Sequence, residues 1–154
     1  MFLIIEIILG NTRILTGYTY HFMMLQKQIF QDLQTDVHVL ASSDYIVDTL
    51  EQNYDANADG LRITLISKDG SVLYESKGNA SKMENHMERP EVQQALKNGE
   101  GKATRRSNTI GTLSFYYAEK LENGCIIRVS RDIPYVAKLS VYLIPEGIAI
   151  FAGI

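Results

Sequence analysis

The sequence predicts an α+β domain, with a five-stranded antiparallel sheet, a long N-terminal helix and a short helix. Three observations predict it. Apolar residues recur at helical spacing over one long stretch without Pro or Gly. Further along, short alternating segments are separated by Asp-Gly and Asn-Gly turns. Between those segments lies one short stretch that opens with Pro and closes with Gly, the punctuation of a helix.

The long helix is predicted from Tyr20 to about Asn53. Phe22, Leu25, Ile29, Leu33, Val37, Leu40, Val47, Leu50 and Tyr54 step along it by 3, 4 or 7 residues for the most part, which lines up one face. Ser42-Ser43-Asp44 is its weak point, where a serine could cap a restarted helix. At about 1.5 Å per residue it spans roughly 50 Å, longer than one small sheet needs. Residues 55–60 form a loop by composition. Leu61, Ile63 and Leu65 alternate with Arg62 and Thr64, a strand pattern over 61–67. Asp69-Gly70 turns the chain into a second strand over 71–76. Residues 77–89 are polar and irregular. Pro90 opens a helix that Gly99 ends. Three strands follow, at about 102–108, 112–121 and 125–131, the last two joined by Asn123-Gly124. An exit helix is expected after Pro134, and both helices of the domain are expected on one face of the sheet.

Composition narrows the function classes. Net charge is -3 and the one basic pair is Arg105-Arg106, so nucleic-acid binding through clustered cations is not expected. Cys125 stands alone, which excludes an internal disulfide and a multi-cysteine zinc site. No nucleophile–base signature, phosphate loop or H-E-x-x-H motif is present, so no catalytic residue and no cofactor is expected. Both ends are apolar: MFLIIEIILG at the start, and LSVYLIPEGIAIFAGI after Lys138. Neither reaches the roughly 20 apolar residues of a spanning helix. The expected organisation is a membrane-helix stump at 1–17, a domain at 18–138, and the start of a second membrane helix at 139–154.

The candidate ligand-binding residues are His86, Arg89, Arg105, Arg106, Arg128 and Tyr117. His86 lies between Glu84 and Glu88, but i and i+2 do not share a helix face, so a metal site is not expected. His86 and Arg89 either fix the loop before Pro90 through backbone carbonyls or grip an anion. Arg105, Arg106 and Arg128 fall on strands that should be neighbours and could line a pocket for a carboxylate or phosphate. Phe115 and Tyr117 share a strand face and read first as core.

The stretch MENHMERPEVQQALKNGEG, Met83 to Gly101, resembles the extracytoplasmic sensor of phosphate-regulon-type histidine kinases of Gram-positive bacteria. Its core is N-H-x-x-R-P-E, from Asn85 and His86 to Arg89, Pro90 and Glu91. RITLISKDGSVLYES before it and LENGCIIRVSRDI after it look like the same family, so the likeness covers about residues 20–138. The resemblance implies a PAS-like fold of the kind called PDC or Cache, held between two membrane helices with a cytoplasmic kinase beyond the second. The ends depart from that pattern, the first apolar segment being short and the last interrupted by Pro145-Glu146. The expected function is signal sensing outside the cytoplasm, by a non-enzymatic chain. A homodimer would form through the long helix, and a small molecule or a membrane protein would supply the signal. The alternatives are the sensor of a chemotaxis receptor or cyclic-dinucleotide enzyme, and a free-standing binding protein.

Overall fold

The computed structural model describes residues 2–42, 60–107 and 112–134. Helix α1 runs Phe2–Ala41, followed by β1 (Leu61–Ile66), β2 (Val72–Glu75), one 3-10 turn (Ala80–Lys82), helix α2 (Pro90–Asn98), β3 (Glu100–Ser107), β4 (Thr112–Lys120) and β5 (Ile126–Pro134). The strands form one antiparallel sheet in the order β2-β1-β5-β4-β3. The last strand therefore sits at the centre, between the first and fourth.

α1 begins well before Tyr20, because the residues ahead of it contain nothing that stops a helix except an isolated Gly10 and Gly17. It ends at Ala41, at the Ser42-Ser43-Asp44 weak point, where the Ser42 hydroxyl donates to the Val39 carbonyl. The predicted continuation to Asn53, the exit helix after Pro134 and the two apolar ends beyond it lie outside the described residues, except that α1 takes in 2–17.

The sheet has two covered faces, and this corrects the expectation that both helices share one. Strand residues alternate between faces, so the choice is set by which set is apolar. Ile29, Leu33 and Val37 of α1 are buried on Leu61, Ile63, Leu65, Leu113, Phe115, Tyr117, Ile127 and Val129. Phe30 meets Phe115 edge-on, with ring centroids 5.5 Å apart. The opposite face is only partly apolar. There Val92 and Ala95 of α2 bury Ile66, Ala118 and Ile126 near one end. Each of the Val and Ile side chains contributes about 1.5–3 kcal/mol by leaving water. The rest of the α2 face is polar.

Two glycines set how closely the chain can approach that face. Gly101 stands directly under α2, where a Cβ would come within 2.0 Å of the Glu91 carbonyl oxygen. Its missing side chain lets β3 pair from Glu100 onward, earlier than the sequence pattern suggested. Gly70, at φ +85° in the β1–β2 turn, lies against Asn85 and Met87. The loop before α2 is stitched to that turn: the Asn85 amide donates to the Asp69 carbonyl (2.7 Å), and the His86 backbone N–H donates to the Gly70 carbonyl (2.8 Å).

Candidate functional site

The polar part of the α2 face holds a buried charge network. Its centre is Arg128 on the central strand, opposite Thr64 of β1 and Ala118 of β4. Glu91 enters from the first turn of α2, placed there by Pro90 at the helix start and Arg89 as the N-cap. Glu91 is fully buried, and Arg128 is 2% exposed.

One carboxylate takes two guanidiniums. Arg105 Nη2 lies 2.5 Å from Glu91 Oε2, and Arg128 Nη1 lies 3.3 Å from Glu91 Oε1. Both guanidinium carbons lie over the Tyr116 ring, at 4.2 Å for Arg105 and 5.4 Å for Arg128. Arg128 Nη2 also donates to the Thr64 hydroxyl, which donates onward to Glu75 Oε2. Glu75 in turn receives Arg62 through two bonds, 2.8 and 3.2 Å. The chain Arg105–Glu91–Arg128–Thr64–Glu75–Arg62 thus crosses the sheet from β3 to β2.

The network tunes its own members. Burial pushes Glu75 up, but the Arg62 hydrogen bond, the Lys77 N–H and the Arg62 charge outweigh it and hold its pKa low. The same hydrogen bond to Glu75 raises Arg62. Burial lowers Arg128, and Glu91 only partly offsets it. His86 is 6% exposed, and burial followed by the charges of Arg128, Arg89 and Arg62 lowers its pKa. On this face the buried Arg128 Nε and His86 Nδ1 have no hydrogen-bond partner among the described residues. Such atoms cost about 1–3 kcal/mol each when left unmade.

The candidate residues therefore divide. His86, Arg105 and Arg128 come together on the α2 face, the two arginines reaching over the intervening β4 rather than standing on neighbouring strands as expected, because β4 pairs with both β3 and β5. Arg106 does not, because its neighbour Arg105 takes that face and Arg106 pairs opposite Leu113 with the α1 side. Tyr117 is likewise on the α1 side, fully buried. Its hydroxyl bonds Glu100, and burial followed by that bond raises its pKa. Arg89 faces outward to Glu84 at 3.7 Å, with both side chains substantially exposed. The His86–Gly70 bond is made by backbone, so the loop is fixed by the Asn85 side chain and the His86 main chain rather than by the His86 ring or Arg89. Among the described residues, no group of three or more His, Cys, Asp or Glu could hold a metal ion.

Sequence reasoning missed Arg62, Thr64, Glu75 and Tyr116 as site residues. Arg62 and Thr64 entered the sequence analysis only as the polar half of an alternating strand. The signal was available in the need to cover both faces of a sheet whose central strand carries Arg128. Glu91 was visible only inside the N-H-x-x-R-P-E motif.

The single Cache-like family matches residues 39–125, more than half of the chain. The chain belongs to that family. The match takes in β1 to β4, α2 and the loop before it, hence most of the charge network. A crystal structure of the extracellular domain of a protein described as a histidine kinase aligns with this Cache domain at TM-score 0.43 and 18% identity. The alignment covers 62% of this chain and 39% of that one. No curated protein sequence matches the Cache domain.

Proposed function

We propose that this Cache domain is the extracytoplasmic sensing module of a membrane-bound histidine kinase of the phosphate-regulon type, working as a homodimer through α1. The observation that carries the reading is α1 itself. It runs for 40 residues, and among the described residues those seated on the core begin at Phe22. Tyr20, Met23, Met24 and Val39 stay 47–67% exposed, apolar surface that the sheet does not use. The N-H-x-x-R-P-E resemblance supports the kinase type. Among the described residues, no helix is long and apolar enough to cross a membrane. In this reading residues 1–17 and 139–154 are the membrane-proximal ends, and a signal shifts the pairing of two α1 helices by favouring one arrangement by a few kcal/mol.

The test uses Met23→Cys and Met24→Cys in the full-length protein in intact cells. Both cysteines are expected to react with a membrane-impermeant maleimide and to give oxidised dimers. Kinase phosphorylation in the same membranes should change on cross-linking. Cysteines that label only after lysis, or that never cross-link, overturn the reading.

A further inference from the structure

The charge network holds more cation than anion. Arg62, Arg105 and Arg128 face Glu75 and Glu91, three guanidiniums against two carboxylates. Arg128 meets Glu91 through one bond at 3.3 Å, and its Nε is buried with no acceptor. His86 Nδ1, also buried, has none either. A guanidinium pair converging on one two-oxygen acceptor over an aromatic ring is the chemistry of carboxylate recognition. Here the acceptor is supplied by the chain itself.

We propose that Glu91 is a tethered occupant of a small-carboxylate site, and that a free small carboxylate taking its place on Arg105 and Arg128 releases the start of α2. The proposal rests on the sensing reading above and names the class of signal. Several features suit Glu91 to be displaced. It rides on a helix of nine residues whose N-cap, Arg89, makes no side-chain cap bond. The loop before it is anchored to the β1–β2 turn by Asn85 and the His86 backbone, so α2 can shift without unravelling the hairpin, losing the bond that the Gln93 amide donates to the Met87 carbonyl. Arg105 is 31% exposed and gives an approach from solvent to the Glu91 Oε2 side. The incoming anion needs two coplanar oxygens and little bulk, because each guanidinium holds a different oxygen of Glu91.

Thermal unfolding of the 154-residue chain in sodium acetate, against sodium chloride and sodium phosphate at matched ionic strength, tests this. Glu91→Ala and Glu91→Gln remove the tethered competitor. Acetate is expected to raise the midpoint of either variant, at a half-maximal concentration about tenfold or more below that needed for the wild type. A variant that folds in acetate but not in chloride counts as the same result. Adding Arg128→Met to either variant should abolish the response. In the wild type, acetate should speed hydrogen exchange of the α2 amides. Equal midpoints in acetate and chloride for both variants overturn the proposal. So does a response that survives Arg128→Met, or one given by phosphate and not by acetate. Failure here leaves the sensing module standing, since a sealed face can still transmit contact with a partner. Failure of the cysteine experiment would leave acetate binding measurable.

Discussion

Replacing Arg128 with Met keeps an unbranched side chain and removes the charge at the middle of the sheet. Arg128 Nη1 and Glu91 Oε1 are 3.3 Å apart, both buried. At an effective dielectric of about 20 their direct attraction is about 5 kcal/mol. Much of that is cancelled by the cost of taking both groups out of water. The loss is set instead by what stays behind. Glu91 keeps Arg105, and Thr64 loses a donor, so the expected cost is about 3 kcal/mol, at the low end for breaking a buried pair. For a domain of this size that lowers the thermal midpoint by roughly 6–12 °C. Urea unfolding followed by circular dichroism measures it, with Glu91→Leu and the double variant closing a cycle. The double variant should cost clearly less than the sum of the two single losses, because no buried charge of the pair is then stranded. A loss under about 0.5 kcal/mol for Arg128→Met, or single losses that simply add, would refute the account of Arg128 as the hub.

Gly101→Ala should destabilise by about 1–3 kcal/mol through overpacking against the Glu91 carbonyl, whereas Gly60→Ala, which has open space around its Cβ position, should cost only the strain of its positive φ; denaturant midpoints of the two compare them directly. Acidification should weaken the domain in two stages. His86 has a folded pKa below its ordinary 6.5, so the unfolded chain binds the extra proton and stability falls as pH drops from about 6.5 toward the folded value. Glu75 is held below its ordinary 4.5, so its contribution is present above that value and is lost as pH falls through the folded one. His86→Leu should flatten the first stage and leave the second; urea midpoints across pH would show otherwise if the first decline persists. Tyr117→Phe should cost about 1–2 kcal/mol by leaving Glu100 without its hydroxyl partner, with no effect on any acetate response, because Tyr117 is on the other side of the sheet.

The fold was legible where local chemistry decides it. The Asp69-Gly70 and Asn123-Gly124 turns and the Pro90 and Gly99 helix ends lie where their residues place them. Arg105 and Arg128 were legible as candidate cations but not as strand neighbours, because β4 runs between β3 and β5 and the two arginines meet across it over Tyr116. What could not be read was which face each residue takes. Arg105 and Arg106 are neighbours in sequence and opposites in space, and only the register with Ser114 and Leu113 decides between them. Arg62 and Glu75 meet because β1 and β2 pair Thr64 with Glu75, which sets Glu75 on the face that Arg62 shares with Thr64. The placement of α2 was hidden too, since its short apolar stripe, Val92 and Ala95, fits either side of a sheet until α1 has claimed one.

The unequal reach of α1 has a mechanical consequence. Its length is about 60 Å, and about 30 Å of it lies before Phe22, the first of the described residues seated on the core. With the seated portion acting as a fulcrum, a tilt of about 5° on the sheet carries the far end through about 2.6 Å over that lever arm. That is more than the helix shifts of about 1–2 Å that repack subunit interfaces elsewhere. A sub-ångström adjustment under Ile29, Leu33 and Val37 thus becomes, at the other end, a displacement large enough for a neighbouring helix to feel.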